Sequence, residues 1–297
     1  PGFLPGQYVG LRLGNVVRSY SLTGAGQDHP TRYSVAVRKQ GQMSRAIWRD
    51  LGCGSSVELL APTGDFVLPR RLEFPVVLIA GGIGITPFLS YLETLEGIDG
   101  EPAVTLHYVC SDGARRPFHD RLRHIEARRP KVRVITHLTQ PRVFDRCDRV
   151  GRFSADDVAQ ELIDARARFY ICAGDAMVDE LTAGLRRRGV PAYEIFRERF
   201  HASGHAPPDG LAARSIHFSK SGRTLKWQPD DPPESILAVA EKAGIPLPSG
   251  CRVGQCESCA VVVTSGSVKH LSDRPELEPG HCLTCQAVPL TDLVIDA

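Results

Sequence analysis

The sequence predicts three consecutive domains: a small antiparallel β-barrel, a parallel-sheet α/β domain and a small C-terminal α+β domain. Three observations point there. Short β-rich runs with Gly and Pro punctuation occupy residues 1–70. From residue 75, continuous apolar strands alternate with helical stretches, the pattern of βαβ units. The last segment holds a tight cysteine loop behind a Gly/Pro/Ala/Ser-rich stretch. A chain of 297 residues is also too long for one ordinary core.

In the first domain, 1–72, strands are expected at Tyr8–Leu13, Val16–Leu22, Arg32–Arg38 and Ser56–Leu60, with a helix at Ser44–Leu51. The chain enters this pattern directly at Pro1, so upstream strands, or a whole domain, are expected to precede it and the barrel to be incomplete here. The second domain, 73–200, opens on the apolar strand Val76–Ala80. Helix Pro87–Leu95, strand Val104–Cys110, helix Phe118–Arg129 and strand Val132–Leu138 follow, then helix Ala155–Ala165, strand Phe169–Cys172 and helix Ala176–Arg188. Residues 201–214 lack periodicity and read as a linker. The third domain, 215–297, has a hairpin at Ile216–Ser219 and Thr224–Gln228, a helix at Ser235–Ala243, the cysteine loop and strand Ala260–Thr264.

Composition is that of a globular protein, 42% hydrophobic and 24% charged, with net charge +2. That balance gives no reason to expect a nucleic-acid partner. Arg186–Arg188 reads as a solvated helix end favoured by the dipole. No apolar run reaches the length of a membrane span and none reads as a signal peptide, so no membrane partner is expected. Cysteines outside the loop are scattered singly, as in a reducing cytoplasm.

Cys251-Arg-Val-Gly-Gln-Cys256-Glu-Ser-Cys259 is C-x4-C-x2-C, and Cys285 follows in Leu-Thr-Cys-Gln. That is the spacing of a plant-type [2Fe-2S] site. Zinc sites more often use pairs of C-x2-C, and one such pair exists here. Cys251, Cys256 and Cys259 are expected ligands. The fourth is Cys282 or Cys285, and Cys285 is favoured because Leu-Thr-Cys-Gln-Ala-Val-Pro resembles the ferredoxin segment around the last ligand. Such a cluster accepts and releases single electrons.

Ala80-Gly-Gly-Ile-Gly-Ile-Thr-Pro87 joins a buried strand to a helix. Glycines there let backbone approach a pyrophosphate, and Pro suits the first helical turn. Arg18-Ser-Tyr-Ser-Leu22 lies on a barrel strand. Arg offers a fixed fork of donors to phosphate, Tyr can stack on a flat ring, and Ser can bond a ring nitrogen. Taken alone, this is an ordinary alternating strand.

Taken together, the chain resembles the ferredoxin–NADP⁺ reductase superfamily, in the three-module form of the phthalate dioxygenase reductase type. Pro5-Gly-Gln-Tyr8, Arg18–Ser21, Gly41–Ser44, Gly64-Asp-Phe66, Gly81–Pro87, Cys172-Ala-Gly-Asp175, Glu198-Arg-Phe200 and the cysteine loop carry the resemblance. It implies a flavin-binding barrel, a nicotinamide-nucleotide α/β domain and a β-grasp-type [2Fe-2S] ferredoxin domain. Arg18 would contact flavin phosphate, Tyr20 stack on the isoalloxazine and Ser21 lie near its N5. Gly41, Met43 and Ser44 form the phosphate turn. Gly82, Ile83 and Gly84 would cradle the nicotinamide cofactor's pyrophosphate, with Thr86 near its ribose. Cys172 would sit near nicotinamide C4, with Gly174 in the same turn, and Glu198 and Phe200 beside the flavin. Tyr20, Ser21 and Cys172 are the expected catalytic residues.

This chain departs from the family at three places. Ala-Gly-Asp follows Cys172 where Gly-Pro is usual. The upstream barrel strands are missing. Gly41-Gln-Met-Ser44 and Ala61–Phe66 look more like FAD-binding relatives such as flavohaemoglobin, so FAD is expected ahead of FMN. Asp112, after the second α/β strand, would bond ribose hydroxyls and repel a 2′-phosphate, favouring NADH; Arg115 and Arg116 leave NADPH open. The function expected is an NADH-dependent reductase passing single electrons to an oxygenase or haem protein that docks near the cluster loop, beside Arg252 and Glu257. The alternatives are the reductase part of a self-sufficient fusion, and a redox sensor or scaffold without turnover.

Overall fold

The structure is a computed structural model that describes every residue except 15, 70–72, 96–99, 201–209, 231–232, 255–256 and 272–276. Cys256 and most of the expected linker therefore lie outside the described residues. The chain divides into two compact units. The first comprises Pro1–Val9, Tyr20–Gln40 and Ala61–Phe200; the second comprises Gly10–Ser19, Gly41–Leu60 and His201–Ala297.

The N-terminal segment contributes to both units. It holds β1 (Tyr8–Leu13), β2 (Val16–Ser21), α1 (Gln42–Asp50) and β3 (Glu58–Leu59). These strands form a three-stranded sheet in the order β2-β1-β3. The strand expected over Arg32–Arg38 is absent apart from one bridge, Leu22 to Val35. Val35 packs on the small cluster of Phe3, Val9 and Leu22, whereas Arg32 and Arg38 stay exposed, so only the middle of the run is drawn into pairing.

The α/β domain runs β4 (Val76–Gly81), α2 (Thr86–Thr94), β5 (Val104–Cys110), α3 (His119–Arg128), β6 (Val132–Leu138), β7 (Arg149–Val150), α4 (Gln160–Asp164), β8 (Arg168–Ala173), α5 (Asp175–Arg187) and β9 (Ile195–Arg199). All six strands are parallel, in the order β7-β6-β5-β4-β8-β9. A parallel sheet covered by helices on both faces needs strands apolar on both faces. β4 meets that requirement. Val76, Leu78 and Ala80 join a core with Phe88, Leu89 and Leu92 of α2 and Leu122 and Ile125 of α3. Val77 and Ile79 point the other way, toward Val178, Leu181 and Leu185 of α5. Each of the Val, Leu, Ile and Phe side chains among these contributes about 1.5–3 kcal/mol on burial.

The helix expected over Ala155–Ala165 is broken into a 3₁₀ turn, Ala155–Asp157, and α4. Val158 takes extended backbone and is buried in the second core, which a continuous helix through this point would not allow. β9 carries no strand signal in sequence, because its Arg197, Glu198 and Arg199 mask the apolar pattern.

The C-terminal domain holds β10 (Arg214–Phe218), β11 (Arg223–Trp227), α6 (Ile236–Lys242), β12 (Ala260–Ser265), β13 (Val268–His270), β14 (His281–Leu283), β15 (Ala287–Pro289) and β16 (Leu293–Ile295). Five strands form a mixed sheet, β11-β10-β16-β12-β14, with β13 and β15 paired beside it. Ile236 and Ala240 of α6 pack on Ile216, Phe218 and Trp227, giving the β-grasp form. The Ser235 hydroxyl caps α6 by accepting from the Ala238 N–H at 3.3 Å. Among the described residues no helix is long and apolar enough to cross a membrane.

Inside the α/β sheet, His107 Nδ1 and His137 Nε2 lie 3.2 Å apart, and His107 stacks on Phe153 at 4.4 Å between centroids. Burial, then the neighbouring His137, pushes the His107 pKa down to about 3; burial also lowers His137. Both rings are neutral when folded but titrate normally when unfolded. Their contribution is complete above the unfolded pKa of about 6.5 and declines as pH falls toward the folded values. Replacing His107 by Phe should flatten the loss of stability between about pH 6.5 and 5, as read from urea-denaturation midpoints at each pH. An unchanged slope would mean that this pair does not control acid sensitivity.

Candidate functional site

The residues expected to hold the nicotinamide nucleotide come together at the carboxyl end of the parallel sheet. β5 lies on one side of β4 and β8 on the other, so the chain reverses its strand order between β4 and β8. Open α/β sheets bind ligands in the crevice at such a point. The turn Gly82–Ile85 follows β4, and the turn Cys172–Gly174 leads from β8 into α5. A Cβ on Gly84 would stand 2.0 Å from the Cys172 carbonyl oxygen, so only glycine allows the two turns to touch. Gly82 has φ +54°, and open space surrounds the Cβ positions of both Gly82 and Gly174. Ile83 is half-buried in the same turn. The Thr86 hydroxyl donates to the Ile83 carbonyl at 3.0 Å, which closes the turn as α2 begins. A backbone cradle with two bare Cα positions suits a pyrophosphate, and the start of α2 adds its partial positive charge.

Cys172 is fully buried, and its Sγ donates to Glu198 Oε2 at 3.7 Å. Burial pushes the Glu198 pKa up to about 8, so this carboxyl carries a proton at neutral pH. Burial and the adjacent carboxyl hold the Cys172 thiol well above its ordinary value. The pair is therefore uncharged at neutral pH. Phe200 packs on the same core as Cys172. Asp112 lies two residues past the end of β5 and is buried; its Oδ1 accepts from the Arg115 N–H at 3.1 Å, and its other oxygen faces Arg142 at 3.4 Å.

The expected flavin residues are placed separately in the two units. Tyr20 and Ser21 end β2 within the first unit, with Ser21 buried. Arg18 belongs to the second unit. Arg18 and Tyr20 are two positions apart, hence on one face of β2, with Ser21 on the other. Also in the second unit, Ser44 Oγ accepts from the Gly41 N–H at 2.9 Å and donates to the Gly41 carbonyl at 3.0 Å. Its hydroxyl thus fixes the turn that starts α1, where Met43 is buried.

The cysteines converge in part. Cys259 and Cys285 are buried with their sulfurs 3.1 Å apart, clustered with Leu237 and Leu283. Cys282 instead lies in the main core of the domain with Ile216 and Trp227. The Val253 N–H points at Cys251 Sγ at 3.5 Å. Arg252 and Gly254 have positive φ, 64° and 80°, and coil the loop tightly. The Cys285 thiol is pushed up by its hydrogen bond with Cys259 first and by burial second, and the charge of Cys251 adds to this. Thiolates held this close repel unless cations lie between them, which is what iron supplies. Among the described residues no three Cys, His, Asp or Glu side chains close on one metal point, and Cys256 is outside that set.

The sequence alone did not reveal two supports for the loop. The Thr284 hydroxyl donates to the Cys259 carbonyl at 3.1 Å, and Gln286 Nε2 donates to the Arg252 carbonyl at 2.9 Å. Both residues flank Cys285, so adjacency to an expected ligand was the available signal.

Comparison with known proteins gives two family matches and several relatives. Residues 220–290 match the 2Fe-2S iron-sulfur cluster binding domain, and 78–182 match the oxidoreductase NAD-binding domain. The chain is similar over its whole length to phthalate dioxygenase reductase, a modular structure for electron transfer from pyridine nucleotides to [2Fe-2S]. That similarity has a TM-score of 0.70 at 25% identity, covering 100% of this chain and 89% of the other. The chain is an oxidoreductase with these two domains, and it is similar to the ferredoxin–NADP⁺ reductase superfamily. Among sequence relatives, an NADPH oxidoreductase of Mycobacterium tuberculosis is 29% identical, over 99% of this reductase and 76% of its own length. A component of the 1,2-phenylacetyl-CoA epoxidase of Escherichia coli is 28% identical, over 99% and 88%. These matches give the reductase a domain for a [2Fe-2S] cluster and a domain for a nicotinamide nucleotide.

Replacing Cys285 by Ser should abolish the cluster's visible absorption and electron paramagnetic resonance signal, whereas Cys282→Ser should keep both. The reverse result would move the fourth ligand to Cys282. Glu198 has a folded pKa above its unfolded value, so its contribution is complete below about pH 4.5 and is lost as pH rises through about 8. Glu198→Gln should remove that decline from the thermal-stability profile between these limits. A profile unchanged by the substitution would show that the carboxyl ionises normally.

Proposed function

We propose that this reductase takes electrons from NADH and delivers them one at a time to an oxygenase partner. When bound, the nicotinamide supplies a hydride, the flavin divides the electron pair, and the cluster carries single electrons. The protein's own residues position these groups and control the surroundings. Gly82, Ile83, Gly84 and Gly174 hold the pyrophosphate by backbone, and Thr86 steadies the turn. Arg18 binds flavin phosphate, Tyr20 covers one ring face, and Ser21 meets the ring edge. Gly41, Met43 and Ser44 supply the second phosphate turn, and the resemblance of this turn to FAD-binding relatives favours FAD. Cys172 and Glu198 offer an uncharged, dry surface that adds no competing charge where hydride leaves the nicotinamide. Asp112 favours the ribose diol of NADH over a 2′-phosphate. Cys251, Cys256, Cys259 and Cys285 hold the cluster. The acceptor docks beside the cluster loop, on the exposed side that carries Glu257 and Ser258.

The observation that carries this reading is the buried Cys259–Cys285 thiol pair in the same chain as a glycine-built nucleotide crevice. A two-electron donor site and a one-electron carrier have no common use without conversion between them. The similarity to an epoxidase component and a dioxygenase reductase supports an oxygenase as the acceptor. The need for a nicotinamide pool favours the cytoplasm.

Anaerobic NADH should bleach the flavin absorption and then produce the reduced-cluster resonance signal, and cytochrome c should be reduced in the steady state. A flavin that stays oxidised with both NADH and NADPH would overturn the proposal.

A further inference from the structure

We infer that Arg252 is a positioning residue that clamps the cluster loop to strand β2 and thereby sets the electron path from flavin to cluster. The inference rests on the function proposed above. Arg252 follows the ligand Cys251 directly, where sequence alone suggested an outward charge for a docking partner. The structure turns it inward. Its side chain is 17% exposed, and Glu241 of α6, its ion-pair partner, is 20% exposed. Nη1 donates to Glu241 Oε2 at 2.8 Å, Nη2 bonds the other carboxylate oxygen, and Nε donates to the Val17 carbonyl at 3.1 Å. The Arg252 carbonyl in turn accepts from Gln286, the neighbour of Cys285.

One guanidinium therefore joins three pieces of the second unit: the cluster loop, helix α6 and the β2 residue that precedes Arg18. Its donors form a planar fork, two arms on a carboxylate and the third on a carbonyl, which a lysine point charge does not reproduce. The residue also holds φ +64°, a conformation disfavoured for a non-glycine residue. A loop kept in that state by a half-buried ion pair is held against its local preference. Val17 belongs to the strand whose next residue, Arg18, is the proposed flavin-phosphate contact. Electron transfer weakens steeply with separation, so the clamp's role is to keep loop and strand in register.

The test uses the complete protein with its flavin and cluster, as Arg252→Ala, Arg252→Lys and Glu241→Gln, with iron content and resonance spectrum checked first. In stopped flow, flavin bleaching by NADH should keep its unmutated rate in all three. Cluster reduction should slow roughly tenfold to a hundredfold in Arg252→Ala, and Arg252→Lys should not restore it. Ferricyanide reduction, drawn from the flavin, should be unchanged while cytochrome c reduction falls. Amide hydrogen exchange at residues 16–20 and 251–254 should rise in Arg252→Ala, a readout independent of turnover. If Arg252→Ala loses its iron, the same measurements on Arg252→Lys and Glu241→Gln decide the matter. An unchanged internal transfer rate with a raised KM for the acceptor protein would overturn the clamp in favour of docking. Unchanged transfer with unchanged exchange would overturn it outright. Failure of NADH to bleach the unmutated flavin would instead overturn the functional reading.

Discussion

The first unit depends on a contact between two turns, Gly84 against the carbonyl of Cys172. At 2.0 Å from that oxygen there is no room for a Cβ. The contact is possible because β4 and β8 are adjacent parallel strands whose ends lie level, Ala80 opposite Cys172. That register depends in turn on β4 being buried on both faces, with alternate residues locked into two separate cores. Packing thus determines strand position, strand position brings the two turns together, and the turns build the crevice. A side chain at Gly84 would force the turns apart, however well the sheet itself folded.

The second unit meets a different constraint. Cys259 and Cys285 come from segments distant in sequence, and folding must bring two thiols together that resist ionising as neighbours. The β12–β14 ladder accomplishes this by pairing Ala260 with Leu283, which places both cysteines at the ladder's end. Leu237 of α6 and Leu283 then close over the pair. Crowding that is unfavourable for bare thiolates would become favourable with the proposed iron between them, so fold and cluster would support each other.

Glycine spacing, the Thr86-Pro87 helix start, the apolar run of β4 and the cysteine spacing were all legible in the sequence, because each is a local pattern with a local cause. The misses share a cause too. Arg32–Arg38 has strand-like residues but gains pairing only at Val35, and Ala155–Ala165 has helical residues but surrenders a turn to bury Val158. The strands after Thr264 leave no local pattern in the sequence. They are three residues long, too short to show a period, and their partners are distant in sequence.

By itself the sequence determined the cysteine spacing of the cluster site and the glycine turn between strand and helix, local patterns present before folding, whereas the flavin and the residues proposed to serve it came from the family resemblance. Only tertiary structure decided which cysteine pairs with Cys259, that Glu198 lies against Cys172 and holds a proton, and that Arg252 points inward. Each of these depends on what a side chain meets across the fold and how much water is left around it. No linear pattern encodes that directly, since burial and long-range pairing are properties of the packed chain.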